Sequence, residues 1–214
     1  MHNPSRRTLL AELLLIFGAV PLVVSLLKPH SWIYLMLWVL GYICYKFLAK
    51  HDDYTFRTDW NFGALDKAVV KGICLRFLPC AVILLLFAWY TIPDRFFSLP
   101  RDHPIRWLMV MALYPPLSAV PQEIIYRSFF FRRYKNVISP VAMNMASALA
   151  FGWIHLVLQN WVAVIFSIAG GFLFADTYSK TRSLAASCFE HALYGCYIFT
   201  IGMGAYFYHG LAVR

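Results

Sequence analysis

Glu123, His155 and His191 place one carboxylate and two imidazoles inside long apolar segments of this chain. An ionisable side chain at membrane depth is costly, so by default it marks a functional site. A carboxylate and an imidazole can take a proton from water, and they can also relay protons along a path. These residue types therefore favour either hydrolysis or proton movement within a membrane.

Three pairs with helical i,i+4 spacing accompany these side chains: Glu123–Arg127, Phe151–His155 and His191–Gly195. In the first pair the acid precedes the base, the better orientation for a helical ion pair. In the second, the phenyl ring can pack against the imidazole. The glycine of the third pair predicts open space on the face of the helix that carries the histidine.

The composition is that of an integral membrane protein. The 214 residues are 61% hydrophobic and 14% charged, whereas a soluble domain is about half apolar and about a quarter charged. The formal charge is +9, but the basic residues lie between apolar segments and not on one polar face, which argues against nucleic-acid binding. The five cysteines lie in apolar segments without a CxxC pair, so they are interpreted as buried hydrophobic residues.

The apolar segments predict the architecture. A membrane helix needs about 20 mostly apolar residues, and seven candidates occur, at about residues 9–27, 31–48, 72–92, 107–136, 141–158, 161–178 and 184–208. They predict an all-α polytopic bundle of about seven spans, within a range of six to eight, forming a single integral-membrane domain over residues 1–214. The chemistry-bearing core lies at about 107–208. The polar stretch at about 49–70 predicts an amphipathic helix on the membrane surface.

The fourth segment contains Pro115, Pro116 and Pro121. Because proline removes a backbone donor and is tolerated in the first turn of a helix, we expect a broken helix that ends near residue 119 and restarts at Pro121. Broken membrane helices occur where the backbone is buried in protein or lines a wet cavity. This pattern predicts a cavity beside Gln122 and Glu123.

Basic residues predict the orientation. One side of the bundle receives Arg6, Arg7, Lys50, Arg57, Lys67, Lys71, Arg132, Arg133, Lys135, Lys180 and Arg182. The other side receives Lys28, Arg95, Arg101, Arg106 and Arg214. Since positive residues favour the cytoplasmic side, this bias predicts a multi-pass protein of the cell (inner) membrane with a cytoplasmic N-terminus and an outer C-terminus.

Counting from the turns predicts which side chains share a depth. Glu123 lies about 15 residues before Ser139-Pro140 and His155 about 15 after it, so each lies about 23 Å from that turn. His191 is about 9 residues beyond the turn at residues 180–183, at a depth of about 14 Å. A helix tilt or a displaced turn would have to close the remaining gap of roughly 10 Å.

Three motifs carry a family resemblance. They read Gln122-Glu123-Ile124-Ile125-Tyr126-Arg127, Phe151 to His155, and His191 to Gly195. In this order they resemble the E-E-x-x-x-R, F-x-x-x-H and H-x-x-x-N motifs of the CPBP intramembrane proteases, the CAAX-prenyl-protease and bacteriocin-processing (Abi) family. The resemblance covers roughly residues 107–200. The P-Q-E-x-x-x-R form is similar to a subgroup proposed to process C-terminal sorting tails in bacteria.

The resemblance implies hydrolysis of a peptide bond in a membrane-associated protein or peptide substrate within the lipid bilayer. It implies that Glu123 acts as the base, with Arg127 holding it, and that His155 orients the water or shares its proton. His191 would polarise the carbonyl or stabilise the oxyanion, and Gln122 would donate a hydrogen bond to substrate. Two departures matter: Gln122 occupies the position of the family's usual water-activating carboxylate, and Gly195 that of its oxyanion asparagine.

A metal and two other functions remain open at this point. Glu123, His155 and His191 are a recognised set of zinc ligands, but they lack HExxH spacing, and the interpretation leans towards a metal-free enzyme. An inactive relative that binds a membrane peptide as a scaffold would show the same pattern. A proton-coupled transporter is less favoured, because carriers usually show paired broken helices in two repeated halves.

Overall fold

The computed structural model describes residues 4–27, 32–51 and 54–208, and these ranges contain helices and no strand. The helices are α1 Arg6–Leu27, α2 Ile33–Leu48, α3 Phe56–Trp60, α4 Lys67–Thr91, α5 Ser98–Asp102, α6 Pro104–Tyr134, α7 Pro140–Leu158, α8 Trp161–Thr181, α9 Leu184–Thr200 and α10 Gly204–Phe207. Short 3₁₀ turns lie at Phe62–Ala64 and Pro93–Arg95. The all-α class is confirmed.

Five of these helices, α1, α4, α6, α7 and α8, are long and apolar enough to cross a membrane. The shorter α2 is also apolar, and α9 has 17 residues. These seven helices correspond to the seven predicted segments. Their outer faces carry apolar side chains, such as Leu26 at 80% and Trp89 at 62% exposure. A polytopic bundle with a lipid-facing surface is therefore confirmed.

Side-chain caps define where several helices begin. Ser139 accepts a hydrogen bond from the backbone N–H of Ala142, with Pro140 at the first helical position, as the Ser-Pro pair predicts. Asn160 caps α8 and Ser183 caps α9 in the same way. The cysteines follow their prediction only in part, since Cys44 and Cys188 are buried and Cys74 is exposed.

The prediction of a broken fourth helix is wrong, because α6 is continuous. Its backbone widens into π-helical turns at Pro115–Ala119 and Ile124–Phe129 without an interruption of the helix. A π turn bonds residues five apart, as the N–H of Val120 does to the carbonyl of Pro115, and it accommodates the missing proline donors. Glu123 is fully buried, so no water-accessible cavity reaches its side chain.

The polar segment at residues 54–66 packs against one end of the bundle. The Ser183 hydroxyl donates to the carbonyls of Trp60 and Asn61 at 3.1 and 3.0 Å, and Ser183 has no exposed surface. The segment forms only the short α3 and a 3₁₀ turn, and its packing covers the start of α9. Helix α9 therefore begins inside the protein and not at its surface.

Asp59 holds this segment in place. Its carboxylate accepts hydrogen bonds from Ser128 at 2.5 Å, from Tyr178 at 3.1 Å and from Tyr54 at 3.3 Å, and it is 1% exposed. Burial, with a smaller contribution from the Asp59 charge, raises the pKa of Tyr54, so this phenol stays protonated and donates. The three donors come from α6, α8 and the loop before α3, so one carboxylate joins the segment to the bundle.

We expect Asp59→Asn to destabilise the protein by about 2–3 kcal/mol, because the amide offers a donor where three hydroxyls already donate to the charged group. For a chain of this size that corresponds to a fall in melting temperature of about 4–12 °C. Thermal unfolding in detergent measures it. The matched control is Asp66→Asn, which keeps a good N-cap at the start of α4. Equal melting temperatures for the two variants would contradict this role of Asp59.

Candidate active site

The carboxylate of Glu123 lies at the centre of the bundle with both oxygens engaged. Its Oε2 lies 3.1 Å from Nε of Arg127 and accepts a hydrogen bond from the Ser187 hydroxyl. Its Oε1 lies 2.8 Å from Nδ1 of His191. The side chain is fully buried, so its charge is balanced and its orientation fixed by groups on α6 and α9.

Arg127 joins three helices around Glu123. Besides the ion pair, its guanidinium donates to Ser147 on α7 at 2.6 Å and to the carbonyl of Gly171 on α8 at 3.2 Å. Its central carbon lies 5.3 Å from the centroid of the Phe151 ring. The i,i+4 ion pair predicted from spacing is present, and Arg127 is as fully buried as its partner.

His191 links Glu123 to a tyrosine. A carboxylate oxygen only accepts, so the neutral ring carries its proton on Nδ1 and leaves Nε2 as an acceptor. The hydroxyl of Tyr114 lies 3.1 Å from Nε2 and donates to it. The imidazole stacks on Phe174, with 4.6 Å between centroids, and meets Phe151 edge-on at 5.3 Å. These contacts set both the tautomer and the orientation of the ring.

The depth gap expected between Glu123 and His191 is closed by their hydrogen bond. The physical reason is the displaced turn before α9. Because residues 54–66 cover Ser183, α9 starts below the protein surface and carries His191 further into the bundle. Ring contacts with Phe174 and Phe151 then hold it at the level of Glu123.

The open space expected beside Gly195 is filled, and this expectation is wrong. A Cβ at Gly195 would lie 2.1 Å from a ring carbon of Tyr114 and 2.4 Å from its hydroxyl oxygen. These distances are far below van der Waals contact. The glycine therefore admits the Tyr114 ring to the face of α9 that carries His191.

His155 lies in the same aromatic layer but outside the hydrogen-bonded series. Its Nδ1 donates to the carbonyl of Phe151 at 2.7 Å, and its ring packs on the Phe151 ring as the i,i+4 spacing predicts. The bond from Arg127 to Ser147 sets the register of the antiparallel pair α6 and α7, which places Glu123 opposite about Phe151. His155 lies about one turn further along α7.

Gln122 directs its amide along its own helix and not at Glu123 or His191. Its amide donates to the Ser118 hydroxyl at 2.8 Å along its own helix, and the residue is half-buried. In the described part of the chain its side chain has no hydrogen bond to Glu123, His155 or His191. It lies where α6 remains accessible next to the site.

The zinc set considered from the sequence does not fit the geometry. Within residues 4–27, 32–51 and 54–208, no group of three or more His, Cys, Asp or Glu side chains is arranged to hold a metal ion. Both nitrogens of His191 are already hydrogen-bonded. The Phe151 ring contacts both imidazoles, His155 and His191.

Sequence reasoning missed several parts of this site. Ser187 precedes His191 by four residues and so shares its helix face, which is a usable signal. Ser147 and the carbonyl of Gly171 bind Arg127 from other helices, and Tyr114 lies 77 residues from His191. No periodic pattern connects positions this far apart.

One comparison with known proteins finds a family match for part of the chain. Residues 104–197 match the family model described as type II CAAX prenyl endopeptidase, Rce1-like. The matched segment runs from the start of α6 into α9 and contains the complete series from Tyr114 to His191. No curated protein and no solved structure matches the chain. The P-Q-E subgroup stays a prediction, whereas the family resemblance is confirmed: over residues 104–197, this chain is similar to the Rce1-like endopeptidases of the CPBP family.

Proposed function

We propose that this protein is an intramembrane endopeptidase that hydrolyses a peptide bond near the membrane segment or C-terminal tail of a membrane-anchored protein. The observation that carries the proposal is the series Arg127–Glu123–His191–Tyr114, hydrogen-bonded or ion-paired at each step inside an apolar bundle. Charged groups at membrane depth are costly and mark function by default. The family match supports peptidase chemistry in general.

In the proposed mechanism the Glu123–His191 pair takes the proton of the attacking water through Nε2 of His191. Glu123 holds the Nδ1–H tautomer and stabilises the imidazolium that forms, as the acid of a Ser-His-Asp triad does. The water oxygen bonds to the carbonyl carbon, the C–N bond breaks, and His191 returns the proton to the leaving amine. We prefer this to direct proton transfer to Glu123, because both Glu123 oxygens are engaged and fully buried.

The remaining site residues receive supporting roles in the proposal. Arg127 holds Glu123 and balances its charge. His155 presents Nε2 as an acceptor, because its Nδ1 proton is donated to Phe151, and it orients the water or the substrate amide. Gln122 is half-buried beside the series and donates a hydrogen bond to the substrate backbone.

We also propose that the end of the bundle formed by residues 54–66 and the start of α9 faces the cytoplasm, in a cell (inner) membrane. Contacts place Asp59, Ser128 and Ser183 together at this end. The basic residues assigned to the cytoplasm cluster in the same loops and helix ends, including Arg132, Arg133, Lys135, Lys180 and Arg182. Lys28 and Arg214, assigned to the other side, lie outside the described residues.

One observation favours a second function. Gln122 cannot act as a base, and the neighbouring carboxylate is closed off from solvent. A relative that binds a membrane-anchored peptide without cleaving it would retain the same bundle and the same buried ion pair. Turnover therefore separates the two functions.

The test uses purified protein in liposomes with a panel of membrane-anchored peptides that carry different C-terminal tails. We expect cleavage at one peptide bond, detected by mass spectrometry, and incorporation of one ¹⁸O from labelled water into the new carboxylate. Because the site residues do not converge as metal ligands, we expect EDTA and 1,10-phenanthroline to leave the rate unchanged. Binding without cleavage would support the inactive relative. A loss of rate that zinc restores would contradict the metal-free mechanism.

A further inference from the structure

Tyr114 occupies the space in front of the proposed base. Its hydroxyl lies 3.1 Å from Nε2 of His191, which is the atom that accepts the proton in the proposed mechanism. Its ring packs against Phe199, with 5.4 Å between centroids, and so has a fixed position. Tyr114 is half-buried, whereas Glu123, Arg127 and His191 are buried, so Tyr114 is the most exposed residue of the series.

The position of Tyr114 depends on a glycine in another helix. Any side chain at Gly195 would begin 2.1 Å from the Tyr114 ring and 2.4 Å from its hydroxyl oxygen. A Tyr114 ring in this position and a side chain at 195 therefore exclude each other. The small volume beside Nε2 of His191 is therefore filled by the Tyr114 hydroxyl from α6. A side chain at position 195 of α9 would otherwise occupy it.

We propose that the Tyr114 hydroxyl is a catalytic hydrogen-bond donor that stabilises the oxyanion formed when water attacks the substrate carbonyl. This rests on the proposed function. A water that gives its proton to Nε2 lies about 3 Å from that nitrogen, and the hydroxyl already lies at 3.1 Å. The carbonyl under attack is then within reach of the hydroxyl, which rotates from Nε2 to the developing negative charge.

Two neighbouring hydroxyls have other partners. Ser187 donates to Glu123, whereas Ser118 accepts from the Gln122 amide and can donate its own proton to the hydroxyl oxygen of Tyr114. In the described part of the chain, Tyr114 is the residue whose hydroxyl is hydrogen-bonded to Nε2 of His191. A preorganised donor aimed at developing charge is typically worth about 10²–10³ in kcat, so its loss is measurable.

The first test is Tyr114→Phe, which keeps the ring and its packing and removes only the hydroxyl. We expect kcat for the cleaved peptide to fall by about 10²–10³ with little change in KM, and an unchanged melting temperature. The matched control is Tyr197→Phe, which removes a hydroxyl that donates to Ala81 at 2.9 Å, and it should retain the wild-type rate. A kcat for Tyr114→Phe within about threefold of wild type, a factor far below the effect of an oxyanion donor, would overturn the proposal.

A second test exploits the exclusion between positions 114 and 195. Gly195→Asn alone should be inactive, because its side chain collides with the Tyr114 ring. Tyr114→Ala together with Gly195→Asn vacates that space and supplies an amide donor from α9, so the double variant should be faster than Tyr114→Ala by about tenfold or more. A double variant no faster than Tyr114→Ala would overturn the proposal. If wild type and Tyr197→Phe both fail to cleave, the proposed function is itself wrong and this inference falls with it.

Discussion

We expect Glu123→Gln to lower the rate of peptide hydrolysis by about 10³–10⁴. The corresponding Asp→Asn change in a Ser-His-Asp triad costs about 10⁴ in kcat, because the histidine adopts the wrong tautomer. An amide nitrogen directed at His191 would force the ring proton onto Nε2, which then accepts nothing. An amide nitrogen directed at Arg127 would place donor against donor, so neither orientation restores the site.

The matched control for this variant is Glu12→Gln. Glu12 also forms an ion pair with an arginine, the partly exposed Arg133 at 2.5 Å, but it has no bond to His191. We expect this control to keep the wild-type rate in the liposome assay. Hydrolysis by Glu123→Gln within tenfold of the control would contradict the role assigned to Glu123.

The second large effect is expected for Arg127→Met, which removes the cation and keeps an unbranched side chain. Removing one partner of a buried ion pair costs about 3–5 kcal/mol, because the other charge is left uncompensated. The bonds to Ser147 and Gly171 are lost as well. We expect a fall in melting temperature of about 6–20 °C and loss of hydrolysis, measured on the same detergent-purified sample.

Arg133→Met is the control for this change. Arg133 pairs with Glu12 near the end of α6 and is partly exposed, so its loss should cost less than half as much. Comparable melting temperatures for Arg127→Met and Arg133→Met would contradict the prediction that the buried Glu123–Arg127 pair stabilises the fold more than the partly exposed Glu12–Arg133 pair does.

The helices could be predicted because the lipid bilayer sets their length and composition. The segment predicted at 161–178 is α8 at Trp161–Thr181, and the one at 31–48 is α2 at Ile33–Leu48. Contacts between side chains four residues apart in one helix could also be predicted from the sequence. The Glu123–Arg127 ion pair follows from four-residue spacing alone.

The continuity of α6 could not be predicted from its prolines. A proline removes one donor, and either a break or a wide turn accommodates that loss. The choice depends on neighbours distant in sequence. A Cβ at Gly41 of α2 would lie 3.2 Å from Cβ of Pro121. Helix α2 therefore packs closely against α6 at the position where the break was expected.

The centre of the site depends on the same kind of distant contact. His191 reaches Glu123 because residues 54–66 cover the start of α9, and the role of that polar segment was not visible in its composition. Tyr114 lies in an apolar run without a motif, and only the packing of α6 on α9 brings it to Gly195 and His191. The motif residues were therefore predictable, whereas the partners that orient them were not.

The central claim is that His191, held by Glu123, takes the proton of the attacking water. The most direct measurement is the rate at which the His191→Gln protein hydrolyses the peptide that wild type cleaves, in liposomes with equal amounts of folded protein. Glutamine still donates to Glu123 and still meets Tyr114, but it takes no proton. The account predicts a loss of at least about 10³ in rate, at the upper end of what a general base contributes. A rate of hydrolysis by His191→Gln within about tenfold of the wild-type rate would contradict it, because loss of a general base lowers the rate by more than that.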